Sequence, residues 1–442
     1  MPDRPSFGRP VPVPSGRLSR MTRLGAMVAG VAGNMAMGGA ADLARGRRPT
    51  SRDLLLTPGN LRRITDELAR MRGAAMKMGQ LISMDAGELL PPEMAAIMGR
   101  LRAEADTMPP AQLKRVLDAQ WPRGWVQTLR SFDVHPIAAA SIGQVHRACL
   151  ADGREVAVKV QYPGVARSID SDVANVAALV RMSGLLPAGF DLAPYVEEAR
   201  QQLHAETDYA AEAAHMAQFA ELLRDDTAFA IPAPVPEWST PRILTMTYLD
   251  GAPLDALETA DQTTRDRVAT RLIALLLREL FEFGLMQTDP NLANYRYDTE
   301  VDRLILLDFG ATRTLGSSVV ADYADLMRAG LAGDADRVDA VARRIGFYDA
   351  GTLPTDAARI RAMMEMVFAP LRDETYDFGD RAIMQRLRAE GLALGESGFV
   401  PPPLPIDALF LQRKLAGLFL IAAKLRARVP VAALLATHLP DA

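Results

Sequence analysis

The sequence predicts a mixed α+β fold in which a small β-rich unit stands between two helical regions. Two strand-like runs lie between Ser141 and Val160 and are joined by the turn signal Ala151-Asp152-Gly153. An earlier segment has apolar residues at i, i+4, i+7 and i+11, which is helical spacing. These residues are Met71, Ala75, Met78 and Ile82. After about residue 262 the chain is again mostly helical, so helices and strands are segregated along the sequence.

The composition is that of an ordinary globular protein. The chain has 442 residues, with 50 Lys and Arg against 54 Asp and Glu, and 49% of its residues are hydrophobic. This balance excludes disorder along the whole length and argues against a general nucleic-acid binder. Cys149 is the single cysteine, so an internal disulfide framework is excluded, and the five histidines show no zinc-ligand spacing.

Residues 1–50 read as a basic, Gly/Ala-rich N-terminal extension. They hold eight Arg and two Asp, and the run from Leu24 to Ala41 is uncharged. Small residues and Asn34 within that run favour a surface or interfacial helix over a transmembrane one. The flanking arginines favour anionic lipid headgroups, and a solvated basic flank is the alternative.

Three further units are expected, over 51–130, 131–250 and 251–442. The first is helical, and the second closes with a strand-like run from Arg242 to Tyr248. In the third, the apolar run from Arg303 to Leu307 predicts a buried strand. The basic-apolar helices expected at Gln412 to Leu425 and Val429 to Leu439 are predicted to pack within their own unit rather than to face lipid.

A lysine on the second strand-like run is the first candidate for phosphate binding. Side chains alternate along a strand, so Val156, Val158 and Val160 share the core face while Ala157 and Lys159 share the other face. A small residue beside a cation suits a flat base over Ala157 and a phosphate at Lys159. Taken alone, a lysine on a strand is equally well a solvated edge residue.

Two turn-rich positions supply candidate metal ligands. The segment Gln287–Asn294, Q-T-D-P-N-L-A-N, follows an apolar helix expected over Leu272 to Leu285 and places Asp289 five residues before its terminal Asn. Asp308-Phe309-Gly310 comes directly after the apolar run that ends at Leu307. Magnesium prefers hard oxygen ligands and often takes one or two carboxylates plus substrate phosphates. V-A-V-K, then D-x4-N, then D-F-G is the order of a kinase active site.

The strand lysine of such a site needs a carboxylate to orient it. The acidic stretch from about Tyr195 to Leu223 is expected to form one helix, and it contains E-x-D-Y-x-x-E at Glu206, Asp208 and Glu212. Asp208 and Glu212 are four apart and share a helix face, whereas Glu206 lies on another side of a straight helix. Glu212 is therefore the predicted partner of the lysine. Without the other motifs, this stretch would be a solvated acidic face.

Two features depart from an ordinary protein kinase. The segment expected to cover the phosphates, Ala138–Gln144, is rich in alanine and has one glycine, so its backbone has fewer conformations open to it. No A-P-E follows the D-F-G motif, and Gln287-Thr288 stands where a His-Arg pair usually precedes the catalytic Asp. Those parts normally organise a platform for a protein substrate, so their absence argues against protein phosphorylation.

Together these motifs resemble the UbiB family of atypical kinases, also called the AarF-domain or ADCK family. Its hallmark K-x-G-Q stands at Lys77-Met78-Gly79-Gln80, and the match runs from about residue 50 to at least 315. Q-T-D-P-N at 287–291 resembles the mitochondrial coenzyme Q subgroup more than bacterial UbiB. The resemblance implies a protein-kinase-like bilobal fold with an extra N-terminal helical K-x-G-Q unit over 51–130. The N-lobe would then be 131–250 and the helical C-lobe 251–442.

The resemblance also implies a role for each site residue. Lys159, paired with Glu212, holds the α- and β-phosphates of ATP, while Asn294 and Asp308 hold Mg²⁺. Asp289 sits at the position of a catalytic base. The alanine-rich segment covers the nucleotide. Its residues are Ala138, Ala139, Ala140 and Ser141.

The K-x-G-Q residues Lys77 and Gln80 close the site and contact Glu206 or Asp308, again by resemblance. Glu206 and Asp208 are assigned with Ala157 to the nucleotide-binding residues. The residue types and their spacing by themselves support the metal and phosphate roles. The role of Lys77 depends on the resemblance alone, because a lone lysine on a helix face is otherwise solvated.

The implied function is that of an atypical kinase or ATPase that uses ATP and Mg²⁺ and supports ubiquinone biosynthesis at a membrane surface. The expected partners are anionic membrane lipid and quinone-pathway proteins or lipid intermediates, without nucleic acid, and a homodimer is left open. The expected location is cytoplasmic, peripheral on the inner face of a bacterial membrane, with an organellar location as the alternative.

Two other functional classes stay open at this point. A small-molecule kinase of the aminoglycoside-phosphotransferase type shares D-x4-N and a later metal-binding Asp, but K-x-G-Q and the alanine-rich segment argue against it. A non-catalytic scaffold that binds nucleotide as a structural ligand is the second class, and the intact set of acidic, amide and lysine residues argues against it.

Overall fold

The computed structural model describes residues 33, 57, 60, 68, 71, 73–75, 77–79, 107–182, 192–402 and 404–440. The chain divides into two compact units, one formed by Met1–Ala213 and Ala233–Tyr248 and the other by Ala214–Pro232 and Leu249–Ala442. Each unit contains helices and strands, which confirms the predicted α+β class. The expected N-terminal helix at 24–41 lies outside the described residues, apart from Gly33.

The described strands, in chain order, are β1 (Leu129–Phe132), β2 (Ala138–Ala139), β3 (Gly143–Leu150), β4 (Glu155–Gln161), β5 (Phe229–Ala230), β6 (Ile243–Thr247), β7 (Ala252–Pro253), β8 (Leu285–Gln287), β9 (Tyr295–Asp298), β10 (Arg303–Leu306), β11 (Thr312–Thr314), β12 (Tyr376–Asp377) and β13 (Arg428–Val429). The α-helices with described bounds are α1 (Pro110–Gln120), α2 (Val165–Met182), α3 (Ala193–Glu206), α4 (Tyr209–Leu222), α5 (Gln262–Arg278), α6 (Ser317–Ala332), α7 (Ala335–Ile345), α8 (Pro354–Phe368), α9 (Ala382–Glu396), α10 (Ile406–Leu425) and α11 (Val431–His438).

One antiparallel sheet organises the first unit, in the order β1-β3-β4-β6 with β2 added beside β3. The predicted pair of strands is present as β3 and β4, and Gly153 in the connecting turn has φ 91°, a conformation that glycine adopts without steric cost. Lys159 lies on β4 opposite Val145 of β3 and Leu244 of β6. The candidate phosphate-binding lysine therefore stands on a central strand rather than on an edge.

The core of this unit lies on one face of the sheet. Val156, Val158 and Val160 pack there against α1, as the strand alternation predicts. Trp121 and Trp125 join the same cluster, and their ring centroids are 5.1 Å apart in an edge-to-face arrangement. Burial of this apolar face is what fixes the register of β4 and directs Lys159 to the opposite face.

The acidic stretch forms two helices, α3 and α4, and not the single helix that the sequence predicts. The break is at Thr207 and Asp208. The Thr207 hydroxyl donates to the carbonyl of His204 at 2.6 Å, and the Asp208 carboxylate accepts hydrogen bonds from the backbone N–H groups of Ala210 and Ala211. Asp is a strong N-cap residue because its side chain satisfies free N–H groups at a helix start, so Asp208 ends one helix and begins the next.

The alanine-rich segment is also more ordered than expected. Ala138 and Ala139 form the short strand β2 opposite Val145 and Gln144, which leaves residues 140–142 as the turn into β3. The backbone N–H of Ala140 donates to the carbonyl of Gly143 at 2.8 Å. Strand structure therefore begins at Ala138, three residues before the start at Ser141 that the sequence predicts.

In the second unit, a four-stranded sheet has the order β5-β10-β9-β7, and β8 pairs with β11. The predicted strand at 303–307 is β10. The apolar helix expected to reach Leu285 ends earlier: α5 stops at Arg278, a π-helical turn covers Glu279–Phe283, and β8 begins at Leu285. Gly284, at φ 59°, reverses the chain between the turn and the strand.

The remaining helices of the second unit come after β11 in the chain, and β12 and β13 lie between them. Helices α6 and α7 are consecutive, as are α8 and α9, and α10 and α11 occupy the C-terminal region where basic-apolar helices were expected. The apolar helix face predicted around the K-x-G-Q segment of the first unit is buried where it is described, at Met71, Ala75 and Met78.

Across the described residues, none of the helices combines the length and apolarity that crossing a membrane requires.

Candidate active site

In the first unit, β4 and α4 bring together the predicted lysine and carboxylate. The Lys159 ammonium contacts Glu212 Oε1 at 2.6 Å and Oε2 at 2.9 Å, and both side chains are buried. The aromatic ring of Tyr209, one turn earlier on α4, lies 5.3 Å from the same ammonium. A lysine held by both oxygens of one carboxylate has a fixed position from which it can meet a phosphate.

Lys77 of the K-x-G-Q segment reaches the end of α3. Its ammonium lies 2.7 Å from Glu206 Oε1, and Glu206 Oε2 accepts a hydrogen bond from the Ser141 hydroxyl. The structure thus brings together three of the predicted residues, one from each motif: K-x-G-Q, E-x-D-Y-x-x-E and the alanine-rich segment. Gln80 lies outside the described residues.

The K-x-G-Q segment lies close to the turn of the alanine-rich segment. A Cβ added to Gly73 would stand 3.0 Å from the Ser141 carbonyl oxygen and 3.6 Å from Leu203 of α3, so glycine allows this approach. Asp208, by contrast, caps α4 with its carboxylate rather than joining Glu206 or Glu212. The break between α3 and α4 separates the three acidic residues into one ion pair with Lys77, one cap and one ion pair with Lys159.

The strand after this turn is anchored by two buried polar side chains. Gln144 accepts a hydrogen bond from the Met108 backbone N–H at 2.7 Å, and its amide nitrogen lies 2.8 Å from His146 Nε2. His146 Nδ1 lies 2.9 Å from the carbonyl oxygen of Asp133. Burial lowers the pKa of His146 to about 4, so the ring is neutral at pH 7 and serves as a structural hydrogen-bonding group.

In the second unit, the loop between β8 and β9 carries the other candidate residues. The Asn294 amide nitrogen donates to the Asp289 backbone carbonyl at 3.0 Å and approaches its Oδ2 at 3.4 Å. The Gln287 amide donates to that same carbonyl at 3.0 Å. The amide side chains of Gln287 and Asn294 therefore hold the D-x4-N motif in a compact loop.

Asp308 lies near this loop because of the strand register. Tyr295 and Leu306 pair across β9 and β10, and the backbone N–H of Leu307 donates to the Asn294 carbonyl at 3.0 Å. Asp308 follows directly and accepts a hydrogen bond from the Gly310 backbone N–H at 3.0 Å. The ends of the two paired strands thus bring the backbone of Asn294 against Leu307, the residue that precedes Asp308.

The D-F-G motif is fixed by its phenylalanine and by the strand that follows. Phe309 is buried, and its ring centroid lies 5.1 Å from that of Phe219 on the part of α4 that belongs to the same unit. The Thr288 hydroxyl donates to the Ala311 carbonyl at 2.7 Å, next to the pairing of β8 with β11. These contacts link the loop that contains Asp289 to the residues around Asp308.

The donor set suits magnesium better than zinc. Among the described residues, no group of three or more His, Cys, Asp or Glu side chains is arranged to hold a metal ion. Asn294 and Asp308 offer one amide oxygen and one carboxylate, which are hard ligands of the kind that Mg²⁺ takes together with phosphate oxygens and water. The residues present therefore fit a nucleotide-bound magnesium ion.

Two basic residues of α10 contact the loop, and neither is among the site residues that the sequence predicts. The Arg413 guanidinium lies 2.6 Å from Asp289 Oδ1. Lys414 is buried and lies 3.2 Å from Glu279 Oε2 and 2.7 Å from the Gln287 carbonyl. Burial alone would lower the pKa of Lys414, but the neighbouring Glu279 raises it above its ordinary value, so the ammonium stays charged. The adjacent Arg413 and Lys414, in a helix whose central residues are mostly apolar, are the signal that the sequence offers.

Comparisons with known proteins agree with this arrangement. Residues 100–342 match the ABC1 atypical kinase-like domain. The chain is 37% identical to the atypical kinase COQ8, mitochondrial, of Saccharomyces cerevisiae, over 96% of this chain and 84% of that protein. It is 38% identical to the atypical kinase COQ8B, mitochondrial, of Rattus norvegicus, over 94% of this chain and 79% of that protein.

A solved structure is also similar to this chain. The Rv3197 protein of Mycobacterium tuberculosis, in its complex with erythromycin, has a TM-score of 0.62 and 27% sequence identity, and the match covers 82% of this chain and 91% of that one. The fold and the side-chain set define an atypical kinase. The chain belongs to the ABC1 family of atypical kinases, the family that K-x-G-Q and the other motifs predicted.

Proposed function

We propose that this protein binds Mg-ATP, cleaves or transfers its terminal phosphate, and supports ubiquinone biosynthesis at a membrane surface. The observation that carries the proposal is the buried pair of Lys159 and Glu212, which fixes an ammonium against both oxygens of a carboxylate. Catalysis of phosphoryl transfer depends on positioning and on electrostatic stabilisation, and this pair supplies both for the phosphates.

The metal role falls to Asn294 and Asp308. Both carry hard oxygen ligands, and the pairing of β9 with β10 places them at adjacent strand ends. A bound Mg²⁺ would neutralise phosphate charge, while the protein holds the two ligands through the contacts of Asn294 with Asp289 and of Asp308 with the Gly310 N–H. The roles of Ala157 and of the segment 138–141 are to flank and cover the nucleotide.

Asp289 is proposed to orient the attacking hydroxyl or water. Its backbone carbonyl accepts hydrogen bonds from Gln287 and Asn294, and Arg413 contacts its Oδ1. A residue whose backbone carbonyl is hydrogen-bonded and whose Oδ1 and Oδ2 are contacted by Arg413 and Asn294 has a fixed direction, which a base or water-positioning group needs. Hydrolysis or transfer to a small lipid intermediate is favoured over protein phosphorylation, because the K-x-G-Q segment lies against the Ser141 turn.

The relatives support the proposed pathway, and the basic charge of residues 1–50 supports the proposed association with a membrane. The relatives are named COQ8, and both are named mitochondrial. The basic residues of 1–50 would attract anionic headgroups, which supports association with a membrane surface. Quinone-pathway proteins or lipid intermediates are the proposed partners, and the compartment stays a prediction.

The direct test is the release of ADP from MgATP by the purified chain, with and without vesicles that contain phosphatidylglycerol. Asp308→Asn should reduce turnover by at least about 100-fold because the metal loses its carboxylate. Asp225→Asn makes the same chemical change on a side chain that is 95% exposed, and it should keep wild-type turnover.

The outcomes separate the candidate functions. Turnover that is stimulated by the anionic vesicles and lost in Asp308→Asn supports the proposal. Turnover that survives in Asp308→Asn would exclude the proposed metal site. Nucleotide binding without any turnover by the wild-type chain would favour the scaffold. In cells that depend on this chain, ubiquinone content should fall when Asp308→Asn replaces the wild type.

A further inference from the structure

A buried ion pair lies behind the loop that carries Asp289. Lys414 comes from α10, and Glu279 comes from the π-helical turn after α5. Each side chain is at most 2% exposed, and the ammonium lies 3.2 Å from the carboxylate. π-Helical turns are uncommon, and they occur frequently at functional sites, where they place one residue out of the regular helix register.

The pair contacts the residues at both ends of the loop. The Lys414 ammonium donates to the Gln287 carbonyl at 2.7 Å, to its side-chain oxygen at 3.1 Å and to the Tyr295 hydroxyl at 3.3 Å. Glu279 Oε1 accepts from the Gln287 backbone N–H at 3.4 Å. Gln287 ends β8 and Tyr295 begins β9, so these contacts fix both ends of the loop.

The contacts continue into the loop itself. The Gln287 side chain accepts from Lys414 through its oxygen and donates through its amide nitrogen to the Asp289 carbonyl at 3.0 Å. One side chain therefore connects the buried ammonium to the backbone of the candidate catalytic residue. A rotated or displaced Gln287 would release one of the hydrogen bonds that hold Asp289.

The same helix backs the loop at a second point. A Cβ added to Gly417 would collide with the ring of Pro290, the residue after Asp289, so the α10 backbone lies directly against the loop. Arg413, one residue before Lys414, contacts the Asp289 carboxylate. Helix α10 thus meets this loop through its backbone, through Arg413, whose side chain is 9% exposed, and through the buried Lys414.

Burial of a charged pair needs a reason, because its desolvation is costly and apolar residues of similar volume would stabilise the fold as well. We propose that Lys414 and Glu279 form a positioning pair that sets the geometry of the loop from Gln287 to Tyr295 and thereby orients Asp289 for phosphoryl transfer. The proposal rests on the proposed function for the role of Asp289. The ordering of the loop by the pair is a separate claim that can be tested without activity.

The test compares the full-length wild type with the double variant Lys414→Met/Glu279→Met. The double variant removes both charges at similar volume, whereas Lys414→Met alone leaves a buried carboxylate without a partner and can fail to fold. The matched control is Lys424→Met/Glu258→Met, which removes a pair at 3.0 Å between α10 and the 3-10 helix Leu254–Thr259, and both of these side chains are about 40% exposed. Both double variants must retain the wild-type far-ultraviolet circular dichroism spectrum.

Two measurements are made on each protein. Amide hydrogen exchange by mass spectrometry reports on residues 288–294, and exchange there should become at least about tenfold faster in the Lys414 and Glu279 double variant alone. Steady-state turnover of MgATP should show kcat lowered by about 10- to 100-fold with KM within about twofold, because a misplaced Asp289 affects the chemical step and not the binding of nucleotide.

Faster loop exchange together with the lowered kcat supports the positioning role. Unchanged exchange at 288–294 overturns it, whatever the activity. Faster exchange with wild-type kcat also overturns it, because the pair would then stabilise the fold without orienting Asp289. A wild-type chain that turns over no MgATP would count against the proposed function, and exchange alone would then decide whether the pair orders the loop.

Discussion

The two units each bury a lysine–glutamate pair, and the two pairs differ in what surrounds the lysine. Lys159 contacts both oxygens of Glu212, and its side chain is 10% exposed. Lys414 contacts oxygens of Glu279, Gln287 and Tyr295, and its side chain is 2% exposed. The first side chain keeps more exposure, and we propose that its ammonium meets a phosphate, whereas protein oxygens enclose the second ammonium. Short distance and burial alone therefore do not identify a ligand site, and the remaining exposure and the identity of the partners do.

The largest expected effect is a loss of stability when the buried pair of Lys414 and Glu279 is disrupted. Lys414→Met is expected to lower the free energy of unfolding by about 3–5 kcal/mol, because it leaves Glu279, whose pKa burial already raises, as a buried carboxyl group without its partner. Lys414→Met/Glu279→Met should recover most of this loss. Urea titrations of the full chain, followed by circular dichroism, measure both changes. A single substitution that costs less than about 1 kcal/mol, the size of one ordinary hydrogen bond, would show that Lys414 is not structurally enclosed.

The next effect concerns nucleotide turnover at the more exposed pair. Lys159→Met/Glu212→Gln should lower kcat/KM for MgATP by about 100- to 1,000-fold, because the phosphates lose a preorganised cation. Unlike the double variant at Lys414, this one should also weaken equilibrium binding of ATP, measured by calorimetry. Lys114→Met, which removes an exposed lysine that pairs with Asp118, is the control and should bind as the wild type does. Wild-type binding in the Lys159 double variant would mean that this lysine does not hold phosphates.

The first pair could be predicted from the sequence because local patterns carry it. Alternation along β4 places Val158 in the core and Lys159 on the opposite face, and the acidic motif supplies Glu212. Asn294 and Asp308 could be predicted in the same way, because D-x4-N and D-F-G follow one another in the sequence and Asp308 comes directly after a predicted apolar strand. Motif order alone was enough to assign these residues to one kind of site.

The second pair could not be predicted from local pattern. A lysine in a helix is almost always exposed, and Lys414 looked like one member of a basic helix face. Its partner Glu279 lies in a π-helical turn where a regular helix was expected, and that turn depends on tertiary contacts. The break at Asp208 was missed for a related reason, because its capping competes with helix continuation and spacing rules assume a straight helix.

The smallest of the three effects concerns His146, a buried group that the first unit keeps neutral while the second keeps Lys414 charged. Burial lowers the pKa of His146 to about 4, against the opposing effect of the Asp133 carbonyl. An unfolded histidine titrates near pH 6.5, so the unfolded chain takes up this proton first as the pH falls. The stability that depends on neutral His146 is therefore complete above about pH 6.5 and is lost progressively down to about pH 4.

This loss should amount to about 2–3 kcal/mol in the free energy of unfolding between about pH 7 and pH 4. His146→Asn should reduce that difference, because its amide can still donate to the Asp133 carbonyl and does not titrate. His204→Asn makes the same change on a side chain that is 40% exposed, and it should keep the wild-type difference. Urea titrations at the two pH values give the comparison. If His146→Asn keeps the wild-type difference in the free energy of unfolding, groups other than His146 cause the loss of stability in acid. The neutral state of buried His146 would then not explain this loss.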